Sequence, residues 1–406
     1  MDRQSGQADA DLVNRPLRIL TLSTLFPNAA KPNFGIFVER QTAGLAARDG
    51  IDVTVINPVG VPPWPLSRSA QYGALTKLPL HENWHGLDVH RPRFTLIPKF
   101  GGPYNPAMIA RAVLPLAKRL HADIPFDLID AEFFYPDGPA AMRLSDALGI
   151  PFTIKARGAD IHFWGSMKGC GTQILEAAHK AAGLLAVSTA LKADMAKLGM
   201  DVDKIMVHYT GLDQARFTPR DRAVEKAKLG VTGPLILSVG ALIPRKNQAL
   251  LIEALARLPV ATLMLAGAGE SEAEYRTLAA EFKVTDRVRF MGSVAHDALP
   301  ALFAAADVMA LVSESEGLAN AWVEALACGT PIVASDVGGA PELIRSPDAG
   351  RIVAREVGAI AAAITELIQN PIPPERVAAQ VAHFSWGKNA AALEAFFQDA
   401  IALGAY

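Results

Sequence analysis

Two glutamates stand eight residues apart in SESEGLANAWVEALACG, the segment that begins at Ser313. The apolar DVMALVS that leads into it is typical of a buried strand, and LANAWVEALACG has the spacing of a helix that stops at a glycine. If this helix begins near Leu318 or Asn320, Glu324 lies in its second turn and Glu316 in the turn before it. Both carboxylates can then face one ligand. The alternative is a pair of solvated acids, although the neighbouring AWVEALA is very apolar for a solvated face.

The start of this predicted helix offers a second kind of contact. Backbone N–H groups in the first turn of a helix have no partner inside the helix and can hold an anion. Carboxylates accept hydrogen bonds from hydroxyl groups. A sugar joined to a diphosphate presents both hydroxyls and anionic oxygens, so the segment predicts a site for such a ligand. Between the two acids lie Gly317, Leu318, Ala319 and Asn320, the last also a candidate N-cap.

Two cations follow another apolar strand, LILSVG, in the turn ALIPRKNQ. Arg245 and Lys246 lie just before the next predicted helix, and Gly240 ends the strand. Two fixed cations beside a helix start suit a diphosphate. A solvated turn is the alternative, since arginine and lysine are common in turns.

Other glycine-containing turns are less specific. The turn after ATLMLAG resembles the beginning of a G-x-G-x-x-G fingerprint, but Glu272 holds the third glycine position. Because an acid there disfavours a pyrophosphate, we interpret Gly267 and Gly269 as turn glycines. In DVGGAPELI, Gly338 and Gly339 either let the backbone approach a ligand or complete a tight turn.

Polar residues also follow the strands of the first half. Gly35 heads the helix GIFVERQ, and the loop before it could approach a phosphate. YPDGPAA and KARGADIHFW end two further strands, which places Asp137, Arg157, Asp160 and His162 at one rim. Arg157 and Asp160 make either a mutual ion pair or substrate contacts, while a lone histidine is more often structural.

The periodicity predicts an α/β fold with two doubly wound, Rossmann-like domains. LRILTLSTLFP, GIFVERQTAGLAARDG and IDVTVINPV alternate strand, helix and strand, which implies parallel strands with right-handed crossovers. The alternation loosens in a predicted linker at 214–234 and then restarts. We expect a mobile segment at 1–16, domains at 17–215 and 216–384, and a C-terminal helix at about 385–406 that packs back on the first domain. Ligands of such sheets bind at strand carboxyl ends, so the cleft between the domains is the expected site.

Composition limits the function classes. The 406 residues carry a net charge of −2, with 50% apolar and 20% charged residues, which is a globular balance without overall attraction to nucleic acid. The two cysteines favour a reducing compartment, and no run of about 18 apolar residues exists, so we expect a cytoplasmic protein. From 68 to 119, eight basic residues stand against two acidic ones. This stretch, with Trp64, Trp84, Phe94 and Phe100 nearby, predicts either a solvated surface or a peripheral contact with anionic lipid at the inner face of the membrane.

Taken together, the turns resemble those of the family-4 retaining glycosyltransferases of GT-B architecture, from about Leu17 to Trp386. The most specific part is the glutamate pair with EALACGTPIVASDVGGAPELI; FGIFVERQ, YPDG, VGALIPRKNQ, LAGAGE and GLDQARFTP support it. The resemblance implies transfer of a hexose-type sugar from a nucleotide diphosphate donor to a hydroxyl of a glycan, lipid-linked or small-molecule acceptor. It also implies retention of configuration, and neither a metal nor another cofactor.

The resemblance also implies residue roles. By position, Glu324 would bind the nucleotide ribose, Glu316 the donor sugar and Lys246 the leaving diphosphate, while the loop of Gly35 would close over it. The expected catalytic residues are Glu316, Lys246, Arg245 and Asp160. The expected donor-binding residues are Glu324, Gly317, Leu318, Ala319, Asn320, Gly35 and Gly240, and the expected acceptor-side residues are Arg157, His162 and Asp137.

The chain departs from the family pattern at two of these turns. Ala241 stands where the family often has arginine, and Arg157 stands where it often has histidine. Arg245 is a candidate for the missing cation. Three alternatives stay open: a GT-B nucleotide-sugar epimerase, a nicotinamide oxidoreductase, which the broken glycine fingerprint disfavours, and a non-catalytic sugar-nucleotide sensor.

Overall fold

The computed structural model of the chain describes residues 15–98 and 100–404. The chain divides into two compact units, each built around its own sheet. Unit 1 comprises Met1–Ala186, Lys192–His208 and Trp386–Tyr406, and unit 2 comprises Val187–Leu191 and Tyr209–Ser385. The predicted mobile segment lies, up to residue 14, outside the described residues.

Unit 1 is organised around an eight-stranded sheet. Its strands are β1 (Leu17–Leu22), β2 (Ile51–Ile56), β3 (Val59–Val61), β4 (His81–Trp84), β5 (Leu87–His90), β6 (Arg93–Thr95), β7 (Leu128–Ala131), β8 (Phe152–Ala156), β9 (Gly183–Ala186) and β10 (Ile205–Val207). The sheet order is β10-β9-β8-β7-β1-β2-β5-β4, and β3 and β6 form a separate parallel pair. Only β4 runs antiparallel to its neighbour among these described strands. The order therefore reverses between β1 and β7.

Unit 2 contains a six-stranded parallel sheet. Its strands are β11 (Leu235–Val239), β12 (Thr262–Ala266), β13 (Val288–Gly292), β14 (Val308–Leu311), β15 (Ile332–Ser335) and β16 (Gly350–Val353). The order is β13-β12-β11-β14-β15-β16. The apolar runs of the four inner strands, β12, β11, β14 and β15, are buried on both faces, as a sheet covered by helices requires.

Helices follow most of the strands. They are α1 (Ile36–Ala46), α2 (Ala70–Thr76), α3 (Asn105–Asp123), α4 (Asp137–Leu148), α5 (Ala159–His162), α6 (Gly171–Lys180), α7 (Thr189–Lys197), α8 (Arg222–Lys228), α9 (Gln248–Leu255), α10 (Glu272–Glu281), α11 (Leu299–Ala305), α12 (Asn320–Ala327), α13 (Ala340–Leu343), α14 (Val357–Gln369), α15 (Pro374–Ala379) and α16 (Trp386–Gly404). No helix in the part of the chain that the structure describes has both the length and the apolar character to cross a bilayer.

The C-terminal helix α16 belongs to unit 1, where it contacts α1 and β8. Leu393 and Phe397 are buried in one apolar cluster with Leu45 of α1. Gly183 makes room for the helix, because a Cβ there would lie 2.6 Å from Cζ of Phe396. Burial of apolar side chains therefore holds the C-terminal helix on unit 1.

The predicted linker at 214–234 is wrong, because this stretch is an integral part of unit 2. Nε2 of Gln214 donates to the carbonyl of Ala382 at 2.7 Å. Helix α8 lies within the stretch, and Nζ of its Lys226 is 2.5 Å from the carboxylate of Asp307. The polar side chains of this stretch make tertiary contacts, and amino-acid composition does not reveal such contacts.

We expect Phe397→Ala to lower the free energy of unfolding by about 3–5 kcal/mol, because it removes a ring that is fully buried between α16, α1 and the sheet. Leu403→Ala is the matched control on the same helix, since Leu403 is 70% exposed. Urea denaturation followed by tryptophan fluorescence measures the effect, because four of the five tryptophans lie in unit 1. Equal midpoints for the two variants would contradict the docking of α16.

Candidate active site

The strand order of unit 2 brings two polar turns side by side. The chain runs outward from β11 to β13 and then returns to β14 on the other side of β11. The order therefore reverses between β11 and β14, and the turns after these two strands leave the same sheet edge as neighbours. The first turn carries Arg245 and Lys246, and the second carries Glu316.

These three predicted residues meet directly. Nζ of Lys246 donates to Oε1 of Glu316 at 2.5 Å, and Nη1 of Arg245 lies 3.6 Å from Oε2. Arg245 also donates from Nη1 to the carbonyl of Ser315 at 2.5 Å, and its own carbonyl accepts from the N–H of Glu314 at 2.8 Å. Glu316 is only 9% exposed, so its charge needs these partners. Two cations against one carboxylate leave a net positive charge, which suits an anionic ligand.

The turn after β15 packs against the backbone of Glu316 and Gly317. Gly338 has φ +51°, and a Cβ there would lie 2.2 Å from the carbonyl oxygen of Glu316. The N–H of Gly339 donates to the carbonyl of Gly317 at 2.7 Å. Of the two interpretations of this glycine pair, the structure therefore supports the tight turn.

The turn after β12 supports the cationic turn in the same way. A Cβ on Gly267 would lie 1.9 Å from the carbonyl oxygen of Gly240, and one on Gly269 would lie 2.1 Å from that of Leu242. Both are turn glycines, as predicted. A Cβ on Gly240 itself would make an ordinary contact with Cε of Lys246, at 3.7 Å, so the φ of +154° is what favours glycine there.

Helix α12 begins at Asn320 with Ala319 as its N-cap residue, and no side chain caps it. The prediction of Asn320 as N-cap is therefore wrong by one position. Since the first N–H groups of a helix lack intrahelical acceptors, this start keeps donors next to Gly317 and Glu316. An anion held there would also meet the positive end of the helix dipole.

Glu324 has a partner that the sequence reasoning missed. Oε1 of Glu324 lies 2.8 Å from Nε2 of His296, and both side chains are largely buried. The edge of His296 packs on the ring of Phe217, with centroids 5.2 Å apart. The histidine thus fixes the orientation of the carboxylate. Its only signal in the sequence was a polar residue at the start of the apolar HDALPALF.

In unit 1 the reversal between β1 and β7 positions Asp137. Its Oδ2 accepts from the N–H of Thr24, in the turn after β1, at 2.9 Å. Its Oδ1 is buried and finds no hydrogen-bond donor in the described part of the chain. Burial raises the pKa of this carboxyl to about 7. Asp137 is thus a buried contact between two turns, and its carboxyl keeps its proton up to about pH 7.

Asp160 organises the neighbouring turns. Its carboxylate accepts from the N–H groups of Phe134 at 2.8 Å, Gly158 at 2.8 Å and Arg157 at 3.0 Å. It is fully buried, and both oxygens are occupied. Burial raises the pKa of Asp160 although these amides oppose the shift. This geometry favours a positioning role over the catalytic contact predicted for it.

Of the two alternatives for Arg157 and Asp160, the mutual ion pair is not formed, because the guanidinium turns to Glu132. It pairs with the Glu132 carboxylate, donates from Nε to the Glu132 carbonyl at 2.8 Å, and lies 4.7 Å above the ring of Phe37. Burial alone would raise the pKa of Glu132, but Arg157 and Lys155 beside it hold the pKa below its usual value.

Glu132 belongs to a buried polar network that the sequence reasoning also missed. It accepts from Gln41 of α1, whose amide oxygen accepts from Nζ of Lys155 on β8. Nζ of Lys155 also lies 2.6 Å from Nδ1 of His208. The other ring nitrogen of His208, Nε2, donates to the carbonyl of Asn389 at 2.8 Å. Burial lowers the pKa of Lys155 to about 7. Acids and a lysine inside otherwise apolar strands, LIDAEF and FTIKARG, were the available signal.

The structure gives Gly35 a conformational role in the loop after β1 and gives His162 a carboxylate partner. Gly35 has φ +75° and precedes α1, and a Cβ there would lie 2.4 Å from the carbonyl oxygen of Leu25. Only glycine therefore lets the loop after β1 fold back on itself. Nε2 of His162 lies 3.1 Å from the carboxylate of Asp194, away from Asp160.

Comparison with known proteins decides the family. The model described as Glycosyltransferase Family 4 matches residues 35–216, and that of Glycosyl transferases group 1 matches 219–383. A Bacillus subtilis (strain 168) protein, named for teichuronic acid biosynthesis as glycosyltransferase TuaC, is 30% identical over 400 residues. That alignment covers 94% of this chain and 98% of the relative. The chain belongs to the family-4, group 1 glycosyltransferases.

Other relatives agree with this glycosyltransferase family. A D-inositol 3-phosphate glycosyltransferase of Mycobacterium tuberculosis (strain ATCC 25177 / H37Ra) is 37% identical over 218 residues, which cover 50% of this chain and 45% of that protein. Sucrose-phosphate synthase from Thermosynechococcus elongatus aligns with a TM-score of 0.79 at 21% identity, over 95% of this chain and 99% of that one. Anabaena HepE in complex with UDP aligns with a TM-score of 0.72 at 21% identity, over 93% and 99%. These structures confirm the fold class, two Rossmann-like units of GT-B type.

The departure at Ala241 has a local explanation in this glycosyltransferase. Ala241 is exposed, and its carbonyl accepts from Nε2 of Gln248 at 3.0 Å. The second cation beside Lys246 is Arg245, whose guanidinium reaches the same carboxylate. The turn therefore holds two positive charges without an arginine at position 241.

We expect the stability of the enzyme to fall with rising pH through Asp137, and Asp137→Asn to remove that component. Below about pH 4 the carboxyl is protonated in both states; between there and pH 7 the unfolded chain loses the proton while the folded chain keeps it. The free energy of unfolding of Asp137→Asn, relative to the unaltered enzyme, should rise by about 2–4 kcal/mol across this window. Urea denaturation at several pH values measures it.

Asp146→Asn, on the exposed side of the same helix, is the matched control for that experiment. Its stability should follow the unaltered enzyme at every pH. A constant difference between Asp137→Asn and the unaltered enzyme across the window would contradict a protonated, buried Asp137.

Proposed function

We propose that this glycosyltransferase moves a hexose-type sugar from a nucleotide diphosphate donor to a hydroxyl acceptor, with retention of configuration and without a metal. The observation that carries the proposal is the meeting of Lys246, Arg245 and Glu316 beside the uncapped start of α12. Cations and amides at one point suit a diphosphate, and a carboxylate at the same point suits sugar hydroxyls. HepE, of similar fold, has been solved with UDP and with UDP-glucose, which supports a nucleotide-sugar donor.

The two glutamates divide the donor between them in this proposal. Glu316, held by Lys246, accepts hydroxyl hydrogen bonds from the sugar, and the amides of Gly317 to Asn320 face the phosphates. Glu324, oriented by His296 at 2.8 Å, accepts from the ribose hydroxyls. A carboxylate fixed before the ligand arrives binds it with less loss of conformational entropy.

In this proposal, stabilisation of the leaving group makes the largest contribution to lowering the activation free energy. As the bond between the sugar C1 and the diphosphate oxygen breaks, its electron pair moves to that oxygen, where Lys246 and Arg245 stabilise the charge. The acceptor oxygen forms its bond to C1 on the same face, and its proton passes to the departing phosphate. Neither Glu316 nor Asp160 is free to act as a nucleophile, since cations bind the first and amides the second.

Unit 1 supplies the acceptor side in this proposal. A cavity of about 270 Å³ lies at the ends of β1 and β2, lined among others by Asn28, Lys31, Phe34 and Tyr72. Amide, ammonium and aromatic groups together suit a sugar or sugar-phosphate acceptor. Arg157, Asp160 and Asp137 would hold the neighbouring turns in place. The named role of TuaC in teichuronic acid biosynthesis supports a polysaccharide or its lipid-linked precursor as acceptor.

A donor screen followed by a transfer assay tests the function. UDP-, GDP- and ADP-sugars are compared by thermal shift, and the best donor is incubated with and without acceptors in EDTA. We expect one nucleotide class to raise the melting temperature and a product with the donor's anomeric configuration by NMR. An isomerised sugar from the donor alone would indicate the epimerase instead. Absence of any nucleotide-sugar binding would contradict the proposal.

Lys246→Ala should lower kcat/KM by a factor of about 10² to 10³, because it removes a charge at the developing phosphate. The control is Lys228→Ala, which removes an exposed lysine of the same unit. Thermal unfolding of both variants separates lost catalysis from lost stability, since Lys246→Ala also leaves Glu316 without its closest partner. Full turnover by a folded Lys246→Ala enzyme would rule out the role.

We further propose that unit 1 contacts anionic membrane through a surface around β3, β6 and α3. The parallel strands β3 and β6 end together, with the N–H of Leu96 donating to the carbonyl of Val61 at 3.0 Å. The chain segments that follow them carry Trp64, 74% exposed, and Phe100, 79% exposed. Large exposed aromatic side chains suit the interfacial region of a bilayer.

Basic side chains continue this surface along α3. Tyr104, Arg111 and Lys118 recur every seven residues, and all three are exposed on one helical face. Two arginines of the predicted basic patch are engaged within the protein. Arg91 is buried against Glu82, and Arg93 donates to the backbone carbonyls of Arg91 and Leu78. Lys99 lies outside the described residues. Two predicted aromatics also turn inward, since Phe94 is buried and Trp84 is half-buried.

Vesicle flotation tests the membrane contact. The enzyme should float with phosphatidylglycerol-containing vesicles, bind phosphatidylcholine weakly and dissociate in 0.5 M salt, about a 4 Å screening length. Arg111→Glu with Lys118→Glu should abolish flotation, while Lys180→Glu with Lys197→Glu, an equal charge change on other helices of the chain, should not. Flotation that is independent of acidic lipid would overturn the proposal.

A further inference from the structure

Histidine and aspartate side chains gather on the antiparallel hairpin of β4 and β5, at the edge of the unit 1 sheet. His81 stands directly opposite His90 in the register. Asp88 precedes His90 by two residues on the same strand, so all three side chains share one face. The opposite face, with Leu87 and Val89, packs into the apolar cluster beneath α1 and α16. The three polar side chains therefore project on the sheet face away from that cluster.

The atoms that could bind a metal ion lie close together. Nε2 of His81 is 2.5 Å from Oδ1 of Asp88, and Nε2 of His90 is 3.3 Å from Oδ2. The imidazole rings stack with centroids 4.3 Å apart and an interplanar angle of 8°. One ligand atom from each of the three residues lies within 4.8 Å of the others, and among the described residues this is the group with that property. Ligands of a tetrahedral zinc ion are about 3.3 Å apart, so the three ligand atoms already have nearly the required spacing, and the stacked rings must turn out of parallel to converge on one ion.

His90 is the buried member of the group. It is 8% exposed, and its Nε2 makes no well-aligned hydrogen bond in the described part of the chain, although Oδ2 of Asp88 lies 3.3 Å away. A buried nitrogen whose hydrogen bond is poorly aligned is incompletely satisfied, and a metal ion shared with Asp88 would satisfy it better.

We propose that His81, Asp88 and His90 form a binding site for a first-row divalent transition ion, most readily Zn²⁺. Two imidazoles and a carboxylate are a common set of three protein ligands for zinc, and a fourth position stays open to water because His81 and Asp88 are exposed. Calcium and magnesium prefer oxygen ligands, so they suit the site poorly.

The ion would act on the structure of the hairpin and takes no part in the bond changes of the proposed transfer reaction. His90 ends β5, and its carbonyl accepts from the N–H of Asn57 at 2.8 Å. The next residue, Arg91, reaches the carbonyl of Pro27 at 3.0 Å, in the loop after β1. Clamping β4 to β5 would therefore stiffen an edge that supports this loop.

Zinc titration of the untagged, chelator-treated full chain tests the site. Isothermal calorimetry should give one Zn²⁺ per chain, and Co²⁺ should give the visible absorption of a four- or five-coordinate complex. His81→Ala and Asp88→Asn should each weaken zinc binding at least tenfold and remove the cobalt spectrum; both residues are exposed, so both variants should fold. His85→Ala is the control, because this exposed histidine of the same hairpin instead meets Glu39.

Thermal unfolding gives a second readout. Zinc should raise the melting temperature of the unaltered chain and of His85→Ala, and leave that of His81→Ala unchanged. No zinc binding by the unaltered chain, or equal binding by His81→Ala and Asp88→Asn, would overturn the site.

Discussion

The contact between Lys246 and Glu316 is the interaction on which the unit 2 site depends. A carboxylate that is only 9% exposed is costly unless a cation meets it, and the cation here comes from a turn 70 residues earlier. The two turns are neighbours because the strand order reverses between β11 and β14. Glycines in the turns after β12 and β15 then support each side at distances that no Cβ would permit. Charge, topology and backbone freedom therefore position the same few atoms.

Unit 1 uses its own reversal, between β1 and β7, for a different purpose. Its strand-end acids are buried and hydrogen-bonded: Asp160 to three backbone amides, Glu132 to Arg157 and Gln41, and Asp137 through one oxygen to Thr24. Such groups cost free energy to bury, and they hold the turns in one arrangement because each must keep its partners. In the proposed reaction, this rigidity supports the acceptor side while unit 2 supplies the charges that act on the donor.

Whether a prediction agreed with the structure depended on how far apart in the sequence the residues concerned lie. The places of Glu316, Lys246 and Gly267 in strand-end turns were predictable, because each lies in the short stretch between an apolar strand and the next helix. Local reasoning offered Asp160, three residues away, as one possible partner of Arg157, whereas the guanidinium pairs with Glu132 at the end of the neighbouring strand. The hairpin of β4 and β5 was not predicted, because each strand has only four residues and the edge strand β4, HENW, is mostly polar.

The sequence by itself determined the α/β class, the positions of the strand-end turns and, through its motifs, the glycosyltransferase family. Periodicity and turn chemistry are local properties that survive without knowledge of neighbours. Only the tertiary structure decided the partners: His296 for Glu324, Glu132 for Arg157, unit 2 for the stretch once predicted as a linker, and the convergence of His81, Asp88 and His90. Partners are set by strand order and register, which bring together residues that the chain itself keeps far apart.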